Sequence, residues 1–343
     1  MKFKERPFKF QRKMTGTRIL ITGGCGFIPS HVVEHFHRTT EWDILIIDKL
    51  SYAAKGTSRL RSADLLSSPR IRLYVFDLQS PLTPGLVEEL GPLDYIVHMA
   101  AETHVDNSIS SPVDFIKNNV SSTLNLLEYA RGLPSLRKFF YFSTDEVYGP
   151  APGETSYKEW DRHNPTNPYS ASKSAAEQIC MSYGNTYKVP VIIVNVMNAF
   201  GERQHVEKFI PKCIKLISEG RTVTVHSDAT RTRAGSRFYI HARNIASAVA
   251  FLIKKGEAGE KYNVTGEKEM DNLSLAQLIA GHLGKELRYE MVDFHSTRPG
   301  HDLRYSLDGS KLFSLGWHLP RNFEESLRKT IDWTLEHPEW LEE

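Results

Sequence analysis

Six apolar, β-rich runs recur along the first two hundred residues: TRILITG, DILIID, IRLYVFD, YIVHMAA, KFFYFST and VPVIIVNV. Between them lie stretches with helical spacing of apolar residues, such as VSSTLNLLEYARGL and SAAEQICMSYGNTY. Parallel strands need crossover connections, so strands alternating with helices predict a parallel sheet covered on both faces. The expected fold class is α/β, a doubly wound parallel sheet of Rossmann type. Such sheets bind ligands beyond the carboxyl ends of their strands. Gly23, Asp48, Asp77, Ala101 and Thr144 all fall at those predicted ends.

The first strand runs directly into TGGCGFIPSH. Gly23, Gly24 and Gly26 permit a tight turn and close approach of backbone to a pyrophosphate, and the following helix offers its N–H groups to that anion. Asp48 ends the next strand at the spacing expected of a ribose-binding carboxylate. A carboxylate there repels a 2′-phosphate, so the expected cofactor is NAD rather than NADP. The third small residue of the fingerprint is replaced by Pro29, which a first helical turn tolerates.

After about residue 200 the rhythm loosens. KFIPKCIKLISEG, LSLAQLIAGHLG and FEESLRKTIDWTLEH read as helices, TVTVHS and LRYEMVD as short strands. The expected organisation is a basic extension over 1–15, an NAD-binding domain over 16–197 with 236–255 returning to it, and a smaller mixed α/β lobe over 198–343. A substrate site between the two is the natural expectation. Formal net charge is +2, which gives no support to a nucleic-acid partner, and no apolar run reaches the length of a membrane span. The three cysteines have no metal-ligand spacing and suit a reducing compartment. No metal is expected, and the expected location is cytoplasmic.

Two polar segments carry chemistry. In NPYSASKSAAEQ, Tyr169 and Lys173 share a helix face. A nearby ammonium favours the phenolate, so the pair can take a proton from a hydroxyl as hydride leaves the same carbon. In STDEVYG, Thr144, Asp145 and Glu146 stand where a buried strand ends. Oxidising a sugar alcohol to a ketone acidifies the neighbouring C–H. One carboxylate can then remove that proton while a second, protonated carboxyl assists a hydroxyl leaving one carbon further on.

TGGCGF, STDEVYG and PTNPYSASK together resemble the extended short-chain dehydrogenases, and most closely their nucleoside-diphosphate-glucose 4,6-dehydratases. The resemblance runs from about Thr17 to Trp340 and includes DKLSYAAK, HMAAETHVDNSI, NNVSSTLNLLE, NAFGERQHVEKFIP and RPGHDLRY. It implies that Thr144, Asp145, Glu146, Tyr169 and Lys173 are catalytic. It implies tightly held NAD at Gly23, Gly26, Phe27, Ile28, Asp48, Lys49, Asp77, Leu78, Ala100, Ala101, Thr103, Asn119, Tyr169 and Lys173. A nucleoside-diphosphate-glucose, dTDP-linked or UDP-linked, is the implied substrate. His104, Asn198, Glu207, Lys208, Phe209, Arg237, Arg298 and His301 are implied to hold it. A homodimer through a four-helix bundle is also implied. Two further departures accompany Pro29. Asn195 stands where the family has an arginine, and TRTRAGSRFYIHARN replaces the family's nucleotide stretch, offering Arg231, Arg233, Arg237 and Arg243 to a diphosphate. The alternative readings are a sugar-nucleotide epimerase, which has no need of Asp145 and Glu146, and a non-catalytic nucleotide-sugar-binding protein.

Overall fold

Among the described residues the strands are β1 (Arg18–Thr22), β2 (Asp43–Asp48), β3 (Ile71–Val75), β4 (Tyr95–His98), β5 (Lys138–Thr144), β6 (Val191–Val196), β7 (Asn198–Phe200), β8 (Val223–Ser227), β9 (Ser236–His241), β10 (Lys261–Val264), β11 (Glu269–Asp271) and β12 (Tyr289–Asp293). They belong to a computed structural model that describes residues 16–293 and 303–342. Alternation along the strands sorts side chains onto two faces. Ile19, Ile21, Ile44, Ile46, Ile192 and Val194 enter one core, while Leu20, Leu45, Ile47, Val191 and Ile193 enter the other. Both faces being apolar, the strands read as continuous hydrophobic runs.

The main sheet has seven strands in the order β10-β6-β5-β4-β1-β2-β3, every neighbouring pair parallel. Strand order reverses between β1 and β4, the position where a doubly wound sheet opens a crevice. The sequence reading found six of these strands. The seventh, β10, comes from a segment assigned to the second lobe. At four residues, KYNV, it is too short to carry a pattern of its own, and pairing with β6 defines it.

The segment 236–255 divides between the two parts. Helix Ala242–Lys255 packs on helix Phe27–Thr39 and contributes Ile245, Val249 and Leu252 to the first core. Strand β9, expected to return with it, instead joins a small sheet of order β11-β9-β7. A parallel pair of β8 and β12 completes the smaller lobe, whose core includes Ile214, Val225, Leu275 and Ile331.

Ile193 is fully buried between β5 and β10. Truncation to alanine removes three buried carbons and leaves a cavity, so Ile193→Ala is expected to lower stability by about 2–5 kcal/mol. A urea titration would show this as a lower midpoint at unchanged slope. A midpoint within error of the wild type would contradict this packing.

Candidate active site

The carboxyl ends of the central strands and the edge of the small lobe enclose a cavity of about 780 Å³. On the sheet side, Gly23, Gly26, Phe27, Ile28, Asp48, Lys49, Asp77, Leu78, Ala100, Ala101 and Thr103 line it. Thr144, Asp145, Glu146, Tyr169 and Lys173 line the same cavity, as do His104, Asn198, Glu207, Lys208, Phe209 and Arg237. Arg298 and His301 lie outside the described residues. Among the described residues no group of three or more His, Cys, Asp or Glu side chains could hold a metal ion.

Asn119 is not among the residues that line the cavity. Its Oδ1 accepts from Glu102 N at 2.9 Å and its Nδ2 donates to Ser172 Oγ at 2.8 Å. Its neighbour Asn118 lines the cavity and accepts from Lys49 Nζ at 2.8 Å. Both sit in a π-helical turn, Lys117–Ser121, which shifts the helical register that a 3.6-residue reading assumes. Of the four arginines considered for a diphosphate, Arg237 alone lines the cavity. Its guanidinium stacks over Tyr305 and donates to the carbonyls of Ser236 and Leu303, both at 2.7 Å. Arg243 points elsewhere, to Glu34 at 3.1 Å and Glu202 at 3.7 Å.

The glycine loop is shaped for a ligand that needs bare backbone. Gly23 has φ +70°, and a Cβ there would lie 2.8 Å from Ala100 Cα. Gly24 lies against β2, where a Cβ would approach Ile46 Cγ2 to 2.5 Å. Helix Phe27–Thr39 begins at Gly26 with no side chain capping it, which leaves its first N–H groups for an anion. Pro29 is the third residue of that helix, where its missing N–H costs no hydrogen bond. Asp48 ends β2 and anchors the loop, accepting from Cys25 N at 2.9 Å and Leu50 N at 2.7 Å. Beneath it runs a buried polar chain in which Thr22 Oγ1 meets His98 Nδ1 at 2.7 Å and His98 Nε2 meets Thr123 Oγ1 at 3.0 Å. This cradle fits NAD. Gly23, the N–H groups after Gly26 and Asp48 would hold its pyrophosphate and ribose.

At the end of β5, Thr144 Oγ1 donates to Asp145 Oδ1 at 2.9 Å. The other oxygen, Asp145 Oδ2, is buried and has no hydrogen-bond partner among the described residues. Glu146 Oε2 accepts from Asn167 Nδ2 at 3.0 Å. Asn167 is also the N-cap of helix Pro168–Tyr187, closing a capping box with Ser170. One side chain therefore fixes both Glu146 and the helix that presents Tyr169 and Lys173. Sequence reasoning missed Asn167, although an asparagine followed by proline ahead of a helical pattern is a capping signal.

Burial dominates the electrostatics. It pushes Asp145 up to about 6 and Glu146 up to about 7, with the Asp145 charge adding to the rise at Glu146. As a pair they retain one proton between those values. Burial also lowers Lys173 to about 8, opposed by Glu177 and Cys180. Tyr169 differs from expectation. Burial and the neighbouring carboxylates raise it well above the usual phenol, offset by a hydrogen bond with Thr144. The ammonium of Lys173 lies instead over the Tyr141 ring, 4.4 Å from its centroid.

A parallel doubly wound sheet, a glycine loop and a Tyr–Lys helix facing one cleft define a dinucleotide-dependent enzyme of the short-chain dehydrogenase type. The chain belongs to the NAD dependent epimerase/dehydratase family, whose model matches residues 19–265. It is 35% identical to dTDP-glucose 4,6-dehydratase 1 of Escherichia coli K12, covering 95% of this chain and 94% of that protein. It is 37% identical, over 94% of its length, to a trifunctional UDP-glucose 4,6-dehydratase/3,5-epimerase/reductase of Arabidopsis thaliana, and spans about half (48%) of that longer protein. The crystal structure of DesIV, a dTDP-glucose 4,6-dehydratase from Streptomyces venezuelae with NAD and TYD bound, superposes with a TM-score of 0.85 at 34% identity, covering 95% of this chain and 99% of that one.

The carboxyl pair makes a prediction about stability. Both native values are raised above the ordinary carboxylate range, so between pH 4 and 7 the native state binds more protons than the unfolded one, and stability falls as pH rises. Glu146→Gln is expected to be more stable than the wild type at pH 8 by about 1–3 kcal/mol, with the gap closing towards pH 4. Chemical denaturation at both pH values tests this, and a gap independent of pH would refute it.

Proposed function

We propose that the protein is a nucleoside-diphosphate-glucose 4,6-dehydratase that converts its substrate to the 4-keto-6-deoxy sugar nucleotide with loss of water. The observation that carries this reading is the Asp145–Glu146 pair, Asp145 buried and Glu146 half-buried, which shares a cavity with Tyr169 and the glycine loop. Redox chemistry at one sugar carbon needs Tyr169 and a dinucleotide. It does not need two carboxyls held near neutrality, whereas eliminating water needs both a base and an acid.

What bound NAD supplies is reversible hydride storage, so the sugar is oxidised and later reduced with no net redox change. Tyr169 takes the proton of the 4-hydroxyl, and Thr144 would turn its hydroxyl proton from Asp145 Oδ1 to donate to the same oxygen. Lys173 supports the charge on Tyr169. In the free site burial and the Asp145 charge raise Glu146 above Asp145, so the proton that the pair retains must pass from Glu146 to Asp145 when the sugar binds. Glu146, its carboxylate then held by the Asn167 amide, removes the proton at C5, acidified by the ketone at C4, and Asp145 gives its proton to the departing 6-hydroxyl through Oδ2. Asn198, Glu207, Lys208 and Phe209 would face the sugar and diphosphate, and Arg237 would meet the diphosphate. Lys208 is the N-cap residue of helix Phe209–Ser218, whose first N–H groups no side chain caps, so that helix starts at the cavity with its positive end. We assign 16–197 with Ala242–Lys255 and β10 to the NAD-binding part, and the rest of 198–342 to the sugar-nucleotide lobe.

The proposed assembly is a homodimer in the cytoplasm. Val113, Ile116, Leu124 and Tyr187 are exposed along helices Pro112–Ile116, Ser122–Ala130 and Pro168–Tyr187. Pairing these helices with those of a second copy would cover them as a four-helix bundle. Among the described residues, no helix is long and apolar enough to cross a membrane. Sedimentation at micromolar concentration is expected to give the dimer mass, and a monomer throughout would exclude the bundle.

Incubation with dTDP-glucose and UDP-glucose, without added NAD, is expected to give from one of them a product lighter by one water. Asp145→Asn and Glu146→Gln should each slow that loss about 10²–10⁴-fold. Unchanged turnover in both variants, or a mass-neutral sugar product from the wild type, would overturn the reading.

A further inference from the structure

Behind the Tyr–Lys helix lies a charged group that the proposed reaction does not use. Glu177 is fully buried one helical turn beyond Lys173, on the same helix face. Its Oε2 lies 2.8 Å from Lys261 Nζ, brought by β10, and its Oε1 accepts from Asn195 Nδ2 at 2.8 Å. The same Asn195 amide donates to the backbone carbonyl of Thr144 at 3.4 Å. Lys261 Nζ also lies 3.1 Å from His163 Nε2, and His163 Nδ1 lies 2.8 Å from Ser174 Oγ on the Tyr–Lys helix. Glu177, Lys261 and Asn195 are each almost completely inaccessible to water.

We propose that Glu177 is a positioning residue for the reaction, coupling Lys173 to the strand end that carries Thr144, and that Lys261 is the buried cation that holds it in place. Placing a carboxylate and an ammonium in a protein interior carries a desolvation cost that good geometry offsets and a lost partner exposes. Asn195 supplies no charge on β6, so the cation reaches Glu177 from the adjacent strand, where Asn195 pairs with Asn263 two residues beyond Lys261. The titratable groups facing Lys173 are Glu177 and Cys180 on its own helix, Tyr141 on β5 and His98 on β4. Of these Glu177 is the leading source of opposing charge, second only to burial in setting the proton affinity of Lys173. Lys173 in turn is the group proposed to support Tyr169. The kinetic part of this inference rests on the 4,6-dehydratase reading, and the spectroscopic part does not.

The test follows the full-length protein carrying ¹³Cε-labelled lysine, with the Lys173 resonance assigned by its disappearance in Lys173→Arg. Glu177→Gln is expected to lower the Lys173 titration midpoint by about one pH unit. With the nucleotide sugar that the wild type converts, the same variant should lower kcat about tenfold or more with KM within about threefold, and move the basic limb of the pH–kcat profile to lower pH. Lys261→Met should act in the same direction, and Asn195→Arg/Lys261→Met, which moves the cation to β6, should restore the midpoint and kcat. An unmoved midpoint in folded Glu177→Gln would overturn the proposal, whichever sugar the wild type accepts. If Glu177→Gln does not fold, the decision passes to the double variant: wild-type thermal stability with an unrestored midpoint would reduce Glu177 and Lys261 to a purely structural pair. A wild type that converts neither nucleotide sugar would defeat the dehydratase reading while the midpoint still decides this one.

Discussion

Parallel pairing is the constraint on which the rest of the molecule depends. Seven strands aligned in one direction bring their carboxyl ends to a single edge. Residues as distant in the chain as Gly23, Asp48, Ala100, Thr144 and Val196 therefore meet around one cavity. The crossover helices that this pairing requires also cover both faces, so the strands carry apolar side chains in both directions. Most interior positions of the central strands are apolar, and the residues that line the cavity cluster where strands stop.

Burial then does at that edge what no single residue does alone. The carboxyls of Asp145 and Glu146 rise towards neutrality, the Lys173 ammonium falls, and the Tyr169 phenol holds its proton more tightly. The carboxyl and ammonium shifts converge from opposite directions on the range in which protons can be exchanged among neighbours, while the Tyr169 shift moves away from it. The hydrogen bonds of Thr144 and Asn167 distinguish otherwise similar groups by which oxygen each one occupies. Because Asn167 also caps the helix, the geometry of Glu146 and the position of Tyr169 are set together.

Much of this was legible in the chain itself. The six longer strands announced themselves through continuous apolar runs, and the glycine loop and STDEVYG through polar residues at the ends of those runs. What escaped was local in sequence but decided by distant contacts. Strand β10 is too short to show a pattern, and its lysine reads as a surface residue until its pairing with β6 places it beside Glu177. Asn118 lines the cavity from a π-helical turn, whose register a 3.6-residue pattern does not show. The effect of Lys173 on Tyr169 was inferred from spacing alone. The enclosed cavity and its two carboxylates outweigh it.

The origin of Lys261 bears on how the molecule can be divided. It follows β7, β8 and β9 of the smaller lobe, yet its side chain ends beside Glu177 of the helix that carries Tyr169. A fragment cut after β6 would keep the glycine loop and every side chain proposed to be catalytic while stranding the Glu177 carboxylate in its interior. The first two hundred residues contain the reactive groups, but they do not form a self-sufficient unit. Synthesis must proceed past residue 261 before the interior is electrically complete, so a ribosome holding the unfinished chain carries the reactive groups before the charge that balances Glu177.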